Sequence, residues 1–430
     1  MKIVMLNTSD RQGGAAVAAS RLKEALCREG IEVKMIVRDK TSDDPGVVSI
    51  NNGWFRRQVN RFRFLWERWV IWTHNGFSRE KLFQVSVADT GTNVSKMPEV
   101  RRADIIHLHW INQGFLSLKD LEKLMALGKP IVWTMHDMWP VTGICHHAWD
   151  CTRYRTECGK CPFLGAKYPK DLSRKVFRKK KTLSPGLLAF VPVSRWLGEK
   201  CQESAIGKGV PSVVIPNAID TERFSPDDKS EARKKFGIPA DKKMLVLGAA
   251  RIDDPVKGFP LLKEALESIP ESRRKNMVLF LFGRIKDPAI LSGGFPVEIR
   301  YWGPVGGPDT LAAIYRAADI TVSSSHYETF GQTISEAMAC GCPAVSFGNS
   351  GQQDIIDHLE NGWLAQYPDP QDLARGIEWV LDHPDPEELA RRAREKIVAL
   401  FSIEKVTGQY LSLYRSLLPL PDEASVRSPE

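Results

Sequence analysis

The sequence contains no long apolar run. All of its uninterrupted apolar stretches are shorter than the roughly 18 residues that a membrane-spanning helix needs. The opening segment from Lys2 to Leu6 has the pattern of a strand, without the charged start and apolar core of a signal peptide. We therefore expect a cytoplasmic protein.

Two signatures of nucleotide and nucleic-acid binding are also missing. Residues 10–14 read Asp-Arg-Gln-Gly-Gly and lack the GxGxxG fingerprint of dinucleotide-binding domains. The CxxC pair at Cys158 and Cys161 has no second knuckle, and no aromatic ribonucleoprotein motif accompanies it. The net charge of +8 fits nucleic acid, phosphate-bearing substrates and an anionic membrane surface alike. A zinc-containing nucleic-acid-binding protein is therefore an alternative that only charge and cysteines support.

What is present is the composition of a globular protein, with 43% apolar and 26% charged residues. A chain of 430 residues exceeds one ordinary core, and a strand–helix–strand rhythm begins at Ile3 and restarts at Lys243. We predict an α/β fold with two Rossmann-like parallel-sheet domains. The predicted divisions are an N-terminal domain at 1–210 with a cysteine-rich insertion at about 143–165, a C-terminal domain at 211–402, a helix at 403–418 that returns to the first domain, and a polar tail at 419–430.

The segment from Ser323 to Pro343 predicts a strand end, a polar loop and a helix that begins near Gly331. A helix start offers unpaired amides to an anion. Glu328 lies in the loop and Glu336 about two turns further on. Because carboxylates repel an anion but accept hydrogen bonds from hydroxyls, this combination indicates a nucleotide sugar.

A second loop, after the strand that ends near Gly248, carries Arg251 and Lys257. The forked donors of arginine and the mobile charge of lysine suit a diphosphate, although two exposed cations are the simpler interpretation. Both loops follow parallel strands of one predicted sheet and should open onto the same edge.

The first domain has polar residues where its predicted strands end, at His109 and at His136, which Asp137 follows. A carboxylate next to an imidazole can hold it in one tautomer, which favours His136 as the functional histidine. Strand-end histidines can also be purely structural. Gly13 and Gly14 precede the first helix and allow close approach of a ligand, or form a plain turn.

Half of the eight cysteines, those at positions 145, 151, 158 and 161, fall within seventeen residues. In a cytoplasmic chain, the cluster Cys145, Cys151, Cys158 and Cys161 favours a structural zinc site, with His146 and His147 as further ligand candidates. Unligated thiols and a redox-active pair are the alternatives.

Residues 54–73 form a predicted helix in which aromatic residues and arginines interleave. Such a helix can lie in a membrane interface. It can also pack on its own domain and leave a basic face in solvent, which is the interpretation we prefer. A second basic run at 170–181 is an exposed helix or a rim for a phosphate-bearing acceptor or a lipid surface.

Together these motifs resemble the retaining glycosyltransferases of family 4, the group 1 glycosyl transferases, whose GT-B architecture places two Rossmann-like domains around a central cleft. Glu328 to Glu336 is similar to the E-x7-E signature of that family. The segment from His107 to Cys161 is similar to bacterial enzymes of exopolysaccharide or O-antigen synthesis. Thr329 and Gln332 depart from the glycine and aliphatic residue usual at those positions, which leaves the donor sugar open.

The resemblance implies transfer of a sugar, with retention, from a nucleotide-diphosphate sugar to a hydroxyl of a saccharide or lipid-linked saccharide at the inner membrane face. The resemblance further implies a UDP- or GDP-sugar as donor, although the residues do not decide between uridine, guanosine and other nucleotides. It implies that catalysis needs no metal and that any zinc is structural. The domain at 1–210 would lie on the acceptor side, and the domain at 211–402 would bind the nucleotide sugar. The catalytic residues would be His136, Glu328, Arg251 and Lys257. The donor would be bound by Gly13, Gly14, Phe330, Gly331, Gln332, Thr333 and Glu336, while His109 and Asp137 are candidates on the acceptor side. A sugar-nucleotide epimerase or a non-catalytic sugar-nucleotide-binding protein of the same fold are the alternatives.

Overall fold

A computed structural model of the chain describes residues 1–165, 168–183, 186–292 and 294–418. The chain divides into two compact units. The first contains Met1–Pro216 and the segment from Thr407 onward, and the second contains Asn217–Val406. The predicted polar tail at 419–430 lies outside the described residues.

The first unit contains a six-stranded parallel sheet in the order β3-β2-β1-β4-β5-β6. Three of its strands, Ile105–Leu108, Ile131–Met135 and Leu188–Pro192, are buried along their whole length, as expected for a sheet covered on both faces. The strands are β1 (Lys2–Ser9), β2 (Glu32–Asp39), β3 (Val47–Ser49), β4 (Ile105–Leu108), β5 (Ile131–Met135) and β6 (Leu188–Pro192). The helices are α1 (Gly14–Arg28), α2 (Trp54–His74), α3 (Pro98–Arg102), α4 (Leu118–Met125), α5 (Leu172–Lys181) and α6 (Arg195–Glu203).

The second unit repeats this plan with a parallel sheet in the order β12-β11-β10-β7-β8-β9. The strands are β7 (Lys243–Arg251), β8 (Met277–Arg284), β9 (Glu298–Gly303), β10 (Ile320–Ser323), β11 (Ala344–Phe347) and β12 (Gly362–Ala365). The helices are α7 (Lys229–Phe236), α8 (Phe259–Ser268), α9 (Glu271–Arg274), α10 (Ala289–Ser292), α11 (Pro308–Ala317), α12 (Gln332–Ala339), α13 (Pro370–Leu381) and α14 (Pro386–Phe401). The predicted α/β class with two parallel sheets is therefore confirmed.

The last helix, α15 (Ile403–Leu417), ends in the first unit, as predicted. Two buried tyrosines on it bond to strand residues of that unit. The Tyr414 hydroxyl lies 2.7 Å from Nδ1 of His107, and the Tyr410 hydroxyl lies 2.8 Å from Oγ1 of Thr134. Because buried hydroxyls need partners, these bonds fix the position of the helix on the sheet.

Each sheet has one place where the chain reverses the direction in which it adds strands. In the first unit this switch point lies between β1 and β4, and in the second between β7 and β10. Loops that leave the carboxyl ends of two such strands diverge and open a crevice between them, where ligands bind in doubly wound sheets. The loops after these four strands are therefore the first places to look for a site.

Helix α2 packs on its own unit and leaves Arg56, Arg57 and Arg61 exposed, as the preferred interpretation of residues 54–73 expects, but it also turns several aromatic side chains outward and buries polar ones. Glu67 is fully buried, and its Oε1 accepts hydrogen bonds from the backbone N–H groups of Val87 at 2.7 Å and Ala88 at 3.0 Å. These bonds determine which side of the helix packs on the unit.

In the described part of the chain, no helix has both the length and the apolar content needed to cross a membrane.

Candidate functional site

The loops after β7 and β10 are joined to each other at the switch point of the second unit. The backbone N–H of His326 donates to the carbonyl of Val256 at 2.8 Å. The Ser324 hydroxyl donates to the carbonyl of Lys257 at 3.0 Å. These bonds place the two loops that the sequence analysis selected side by side.

Gly258 allows this close approach. Its φ of +60° is in the left-handed region, and a Cβ added there would lie 2.0 Å from the Ser324 carbonyl oxygen. A backbone atom cannot move aside like the end of a flexible side chain. Any other residue at this position therefore forces the two loops apart.

Gly258→Ala is expected to lower the free energy of unfolding of the second unit by about 2 kcal/mol or more, because it combines left-handed strain with a backbone clash. Gly128→Ala is the matched control, since Gly128 has a φ of +67° but nothing within 4 Å of the added Cβ. The control should cost only about 1 kcal/mol. Denaturant unfolding of both variants measures the difference, and equal losses would show that the clash is relieved without separating the loops.

The joined loops bring Lys257 and Glu328 into contact. The Lys257 ammonium lies 2.7 Å from Oε1 of Glu328, and both side chains are only partly exposed. The same carboxylate oxygen accepts the Ser325 hydroxyl at 2.8 Å, while the Glu328 N–H donates to the Ser350 hydroxyl at 3.0 Å. A cation and a carboxylate are thus fixed next to each other at the carboxyl edge of the sheet.

Ser325 and Ser350 were missed in the sequence analysis. Ser350 follows β11, the strand beside β10, so the rule that polar residues collect where parallel strands end could have found it. Ser325 is one of three consecutive serines, and nothing in the sequence distinguishes it from the other two.

Helix α12 begins beside this pair and supplies free amides. Gly331 precedes the first turn with a φ of +106° and has no side chain to cap the N–H groups of that turn, which includes Gln332 and Thr333. Phe330 is buried against Phe401, so the residue before the turn is held in place by packing. The first turn of α12 therefore presents backbone N–H groups without a side-chain cap, which is the feature from which the sequence analysis predicts an anion site.

Glu336 lies one turn into α12 and is 3% exposed. Its Oε1 lies 3.5 Å from the side-chain amide of Gln332, the residue that departs from the aliphatic one expected there. Gln332 can therefore influence how the Glu336 carboxylate is presented.

Arg251 lies at the end of β7 and contacts carboxylates of its own loop. Its guanidinium is 3.0 Å from Asp254 and 3.5 Å from Asp253, and the side chain is about half exposed, at 45%. An exposed pair of this kind contributes little to stability, so the guanidinium can exchange these partners for a phosphate at small cost.

The two strand-end histidines of the first unit contact each other. Nδ1 of His109, after β4, lies 3.1 Å from Nε2 of His136, after β5. Burial lowers the pKa of His136 to about 4, and burial together with His107 lowers the pKa of His109. Both imidazoles are therefore neutral near pH 7. The N–H of one ring donates a hydrogen bond to the unprotonated nitrogen of the other. Within the described chain, Nε2 of His109 is buried without a hydrogen-bond partner.

The imidazole bonded to Asp137 belongs to His146, a residue that the sequence analysis treated only as a metal-ligand candidate. Nδ1 of His146 lies 2.7 Å from Oδ2 of Asp137, which also accepts the indole N–H of Trp110 at 2.9 Å. Oδ1 accepts the backbone N–H of Trp139 at 2.8 Å. Burial alone would raise the pKa of Asp137, but His146 outweighs it and lowers the pKa to about 2.

A serine completes a hydrogen-bonded series with these two residues, since the Ser86 hydroxyl lies 3.1 Å from Nε2 of His146. Serine, histidine and aspartate at such distances occur in hydrolases. Ser86 is fully buried, however, and cannot meet a substrate. The series is therefore a buried hydrogen-bond network that holds the β5 loop in place.

The glycine loop of the first unit lies beside its switch point. Gly13 precedes α1 with a φ of +94°, and a Cβ added there would meet nothing within 4 Å. The open space at Gly13, which directly precedes Gly14, leaves room for a ligand at the start of α1.

The four clustered cysteines, Cys145, Cys151, Cys158 and Cys161, line one small cavity as free thiols. Across the ranges that the structure describes, however, no three His, Cys, Asp or Glu side chains are arranged so that they could hold a metal ion. A zinc ion would therefore require the sulfurs to move closer together.

The largest cavity described for the second unit, about 1050 Å³, lies at the other end of α12, beside Cys340 and Arg394. It is lined by α11 and α14 and includes neither Lys257 nor Glu328. Size alone therefore does not identify the site.

Comparison with known proteins agrees with this architecture. Residues 12–223 match the family model described as Glycosyltransferase Family 4, and residues 228–397 match the one described as Glycosyl transferases group 1. A D-inositol 3-phosphate glycosyltransferase of Saccharomonospora viridis is 26% identical over 94% of this chain and 90% of its own.

Solved structures show the same fold. Anabaena Alr3699/HepE, in complex with UDP-glucose, is 16% identical, with a TM-score of 0.63 over 97% of this chain and all of that one. WaaG, a glycosyltransferase involved in lipopolysaccharide biosynthesis, is 14% identical, with a TM-score of 0.65 over 96% of this chain and 99% of that one. The chain is therefore a glycosyltransferase of the GT-B type, with a family 4 match in its first unit and a group 1 match in its second.

Proposed function

We propose that this chain transfers a sugar from a UDP- or GDP-sugar to a hydroxyl of a lipid-linked saccharide, with retention of anomeric configuration, in surface polysaccharide synthesis at the inner face of the cytoplasmic membrane. The observation that carries the proposal is the Lys257–Glu328 pair, 2.7 Å apart at the switch point of the second sheet and beside the start of α12. A nucleotide sugar needs a cation and amides for its diphosphate and a carboxylate for its hydroxyls.

Lys257 and Arg251 stabilise the negative charge that develops on the departing diphosphate. The bond between the anomeric carbon and the phosphate oxygen breaks, and a bond from the acceptor oxygen to that carbon forms on the same face. The acceptor proton passes to the leaving phosphate, so that no side chain has to act as a nucleophile. Preorganised positive charge at the leaving group is then the largest contribution of the protein.

Glu328 and Glu336 accept hydrogen bonds from donor hydroxyls, Glu328 from the sugar and Glu336 from the ribose. Bonds to Lys257, Ser325 and Ser350 hold Glu328 before the donor arrives, which reduces the entropy lost on binding. In the first unit, His136 and its partner His109 are neutral donors or acceptors suited to sugar hydroxyls. Asp137 supports this region through the buried network and is a positioning residue.

The class of acceptor is the most specific part of the proposal. Relatives named for D-inositol 3-phosphate, such as the one from Saccharomonospora viridis, make that alcohol the competing acceptor. WaaG, named for lipopolysaccharide biosynthesis, favours a membrane-linked saccharide. Both acceptors belong in the same experiment.

Release of nucleoside diphosphate from a panel of UDP- and GDP-sugars tests the proposal, with each acceptor added separately. We expect release that depends on a lipid-linked saccharide, and a product whose anomeric configuration, measured by NMR, matches the donor. Isomerised sugar nucleotide without any acceptor would indicate an epimerase. Binding without turnover in every combination would indicate a non-catalytic sugar-nucleotide-binding protein.

The cysteine cluster enters the proposal as a structural zinc site rather than a catalytic one. A buried lysine favours it. Nζ of Lys180 donates to the carbonyls of Trp139 at 2.6 Å and Thr142 at 3.1 Å, and burial lowers the pKa of Lys180 while negative charge at Cys145 and Cys158 would raise it. Zinc thiolates would supply negative charge that offsets this ammonium.

Metal analysis of protein purified without chelators is expected to find about one zinc per chain, as four thiolates at one site would bind. Cys158→Ser should lower the zinc content, whereas Cys27→Ser, at an exposed thiol outside the cluster, should not. Only trace metal in the unmodified protein would contradict the zinc proposal and leave four reduced thiols.

A further inference from the structure

The outward side of α2 is an aromatic surface. Phe55, Phe62 and Trp69 recur at seven-residue intervals along it, with Leu65 and Trp66 between the last two. The exposed fractions of Phe55, Phe62, Leu65, Trp66 and Trp69 are 72%, 63%, 51%, 39% and 51%. This spacing places them on one stripe of the helix. Exposed apolar side chains are unremarkable singly, but a contiguous aromatic stripe marks a surface that binds something.

Buried polar contacts on the opposite side prevent α2 from rotating this stripe inward. Glu67 accepts the N–H groups of Val87 and Ala88, and Arg68 donates to the carbonyl of Val85 at 3.2 Å. Asn60 donates to the side chain of Asn51 at 2.7 Å. Rotation would leave these polar groups buried without partners, which costs more than the exposed aromatics do.

Positive charge accompanies the stripe. Arg56, Arg57 and Arg61 are exposed on the first half of α2, and Glu67, the single acidic residue of the helix, is buried. The exposed surface of α2 is therefore aromatic and cationic, without an acidic side chain. Tryptophan rings suit the headgroup region of a bilayer, and arginines suit anionic lipid.

A groove of about 680 Å³ continues this surface along the second half of α2 towards α5. Apolar side chains line it, including Val70 of α2 and Val176 of α5. Three lysines also line it, namely Lys170, Lys175 and Lys179.

Two carboxylates, those of Asp171 and Asp89, also line the groove. Asp171 is occupied as the N-terminal cap of α5, where it accepts the N–H of Arg174 at 3.1 Å. Asp89 accepts the indole N–H of Trp66 at 3.1 Å. The lysines thus outnumber the acids in an apolar groove, which suits the phosphate and upper chain of a lipid.

We propose that the stripe of α2, its three exposed arginines and the adjoining groove form one docking surface for an anionic lipid bilayer. The membrane is the one in which the proposed lipid-linked acceptor is anchored. This choice of membrane rests on the proposed function. Aromatic insertion and charge attraction act together, since neither alone holds a protein stably on a membrane.

Flotation of the full chain with vesicles tests the surface. We expect binding to vesicles that contain phosphatidylglycerol and little binding to pure phosphatidylcholine. The triple variant Phe55→Ser, Phe62→Ser and Trp69→Ser should lose binding to phosphatidylglycerol vesicles by on the order of tenfold or more. Its matched control is Leu359→Ser, Val398→Ser and Leu400→Ser, which removes side chains of comparable exposure from the second unit and should bind normally.

A variant without the arginine charges separates electrostatic attraction to the lipid from insertion of the aromatic rings. Arg56→Gln, Arg57→Gln and Arg61→Gln together should weaken binding to anionic vesicles on the order of a hundredfold, because each basic residue near the surface contributes about fivefold. The control with the same change in net charge is Lys208→Gln, Lys275→Gln and Lys405→Gln, at exposed positions elsewhere.

Equal binding by the surface variants and their controls overturns the proposal, as does a lack of binding by the unmodified chain. A dimer that the aromatic variant dissociates would also overturn it by assigning the stripe to a second copy. Thermal shift with nucleotide sugars keeps the two proposals apart, since the surface variants should retain donor binding. Vesicle binding without donor binding would reject the proposed function alone.

Discussion

Lys257→Met is expected to lower the rate of sugar transfer by about 100- to 1000-fold, the effect of removing a preorganised charge from a developing anion. The second unit should remain folded, because a partly exposed ion pair contributes little to stability. Methionine retains most of the side-chain volume and removes only the charge. Glu328 then loses its cationic partner, which should also weaken donor binding.

Lys275→Met is the matched control, because Lys275 is an exposed lysine of the same unit that pairs with Glu271 at 3.1 Å. It should retain full activity. Steady-state release of nucleoside diphosphate measures both variants, and thermal unfolding confirms that both are folded. Undiminished turnover by Lys257→Met would remove this residue from the catalytic site.

Asp137→Asn is expected to lower the free energy of unfolding of the first unit by about 3 kcal/mol, because it removes a buried carboxylate that takes part in three hydrogen bonds. The asparagine oxygen can still accept the N–H of Trp139. Its NH₂ group, however, faces the indole N–H of Trp110, which only donates. Two donors then meet within a buried network, and the indole N–H is left without its acceptor.

The pH dependence of this loss has a definite sign. The pKa of Asp137 is lowered to about 2 in the folded protein, from 3.8. A carboxylate with a lowered pKa stabilises the fold above its unfolded pKa, and this stabilisation disappears as the pH falls from about 4 to about 2. Denaturant unfolding at pH 7 and near pH 3 should therefore show a smaller difference between variant and parent at the lower pH. Asp150→Asn, at an exposed carboxylate of the following loop, should show none at either pH.

The sequence predicted those features that depend on the strand–helix rhythm. Alternating strands and helices imply parallel sheets, and polar loops after parallel strands lie at the same edge. Those two rules predict from the sequence alone that Lys257 lies near Glu328 and that His109 lies near His136. The contacts at 2.7 and 3.1 Å follow from the positions of β7 beside β10 and β4 beside β5.

The features that the sequence did not predict depend on partners far along the chain. Helix α2 has aromatic residues that favour burial, yet its orientation is set by Glu67, which finds two backbone donors about twenty residues later. Hydrophobic periodicity does not register such contacts. The pairing of Asp137 with His146 was missed for a similar reason, because adjacency in sequence drew attention to His136.

The central claim is that the second unit binds a nucleotide-diphosphate sugar through Lys257 and Glu328. Calorimetric titration of UDP- and GDP-sugars into the unmodified chain, Lys257→Met and Lys275→Met tests it most directly. We predict that at least one of these donors binds the unmodified chain and Lys275→Met with equal affinity, and that Lys257→Met binds it about tenfold or more weakly, in line with loss of a charged contact to phosphate. Equal affinity in all three proteins, or binding of RNA but of no nucleotide sugar, would contradict the claim.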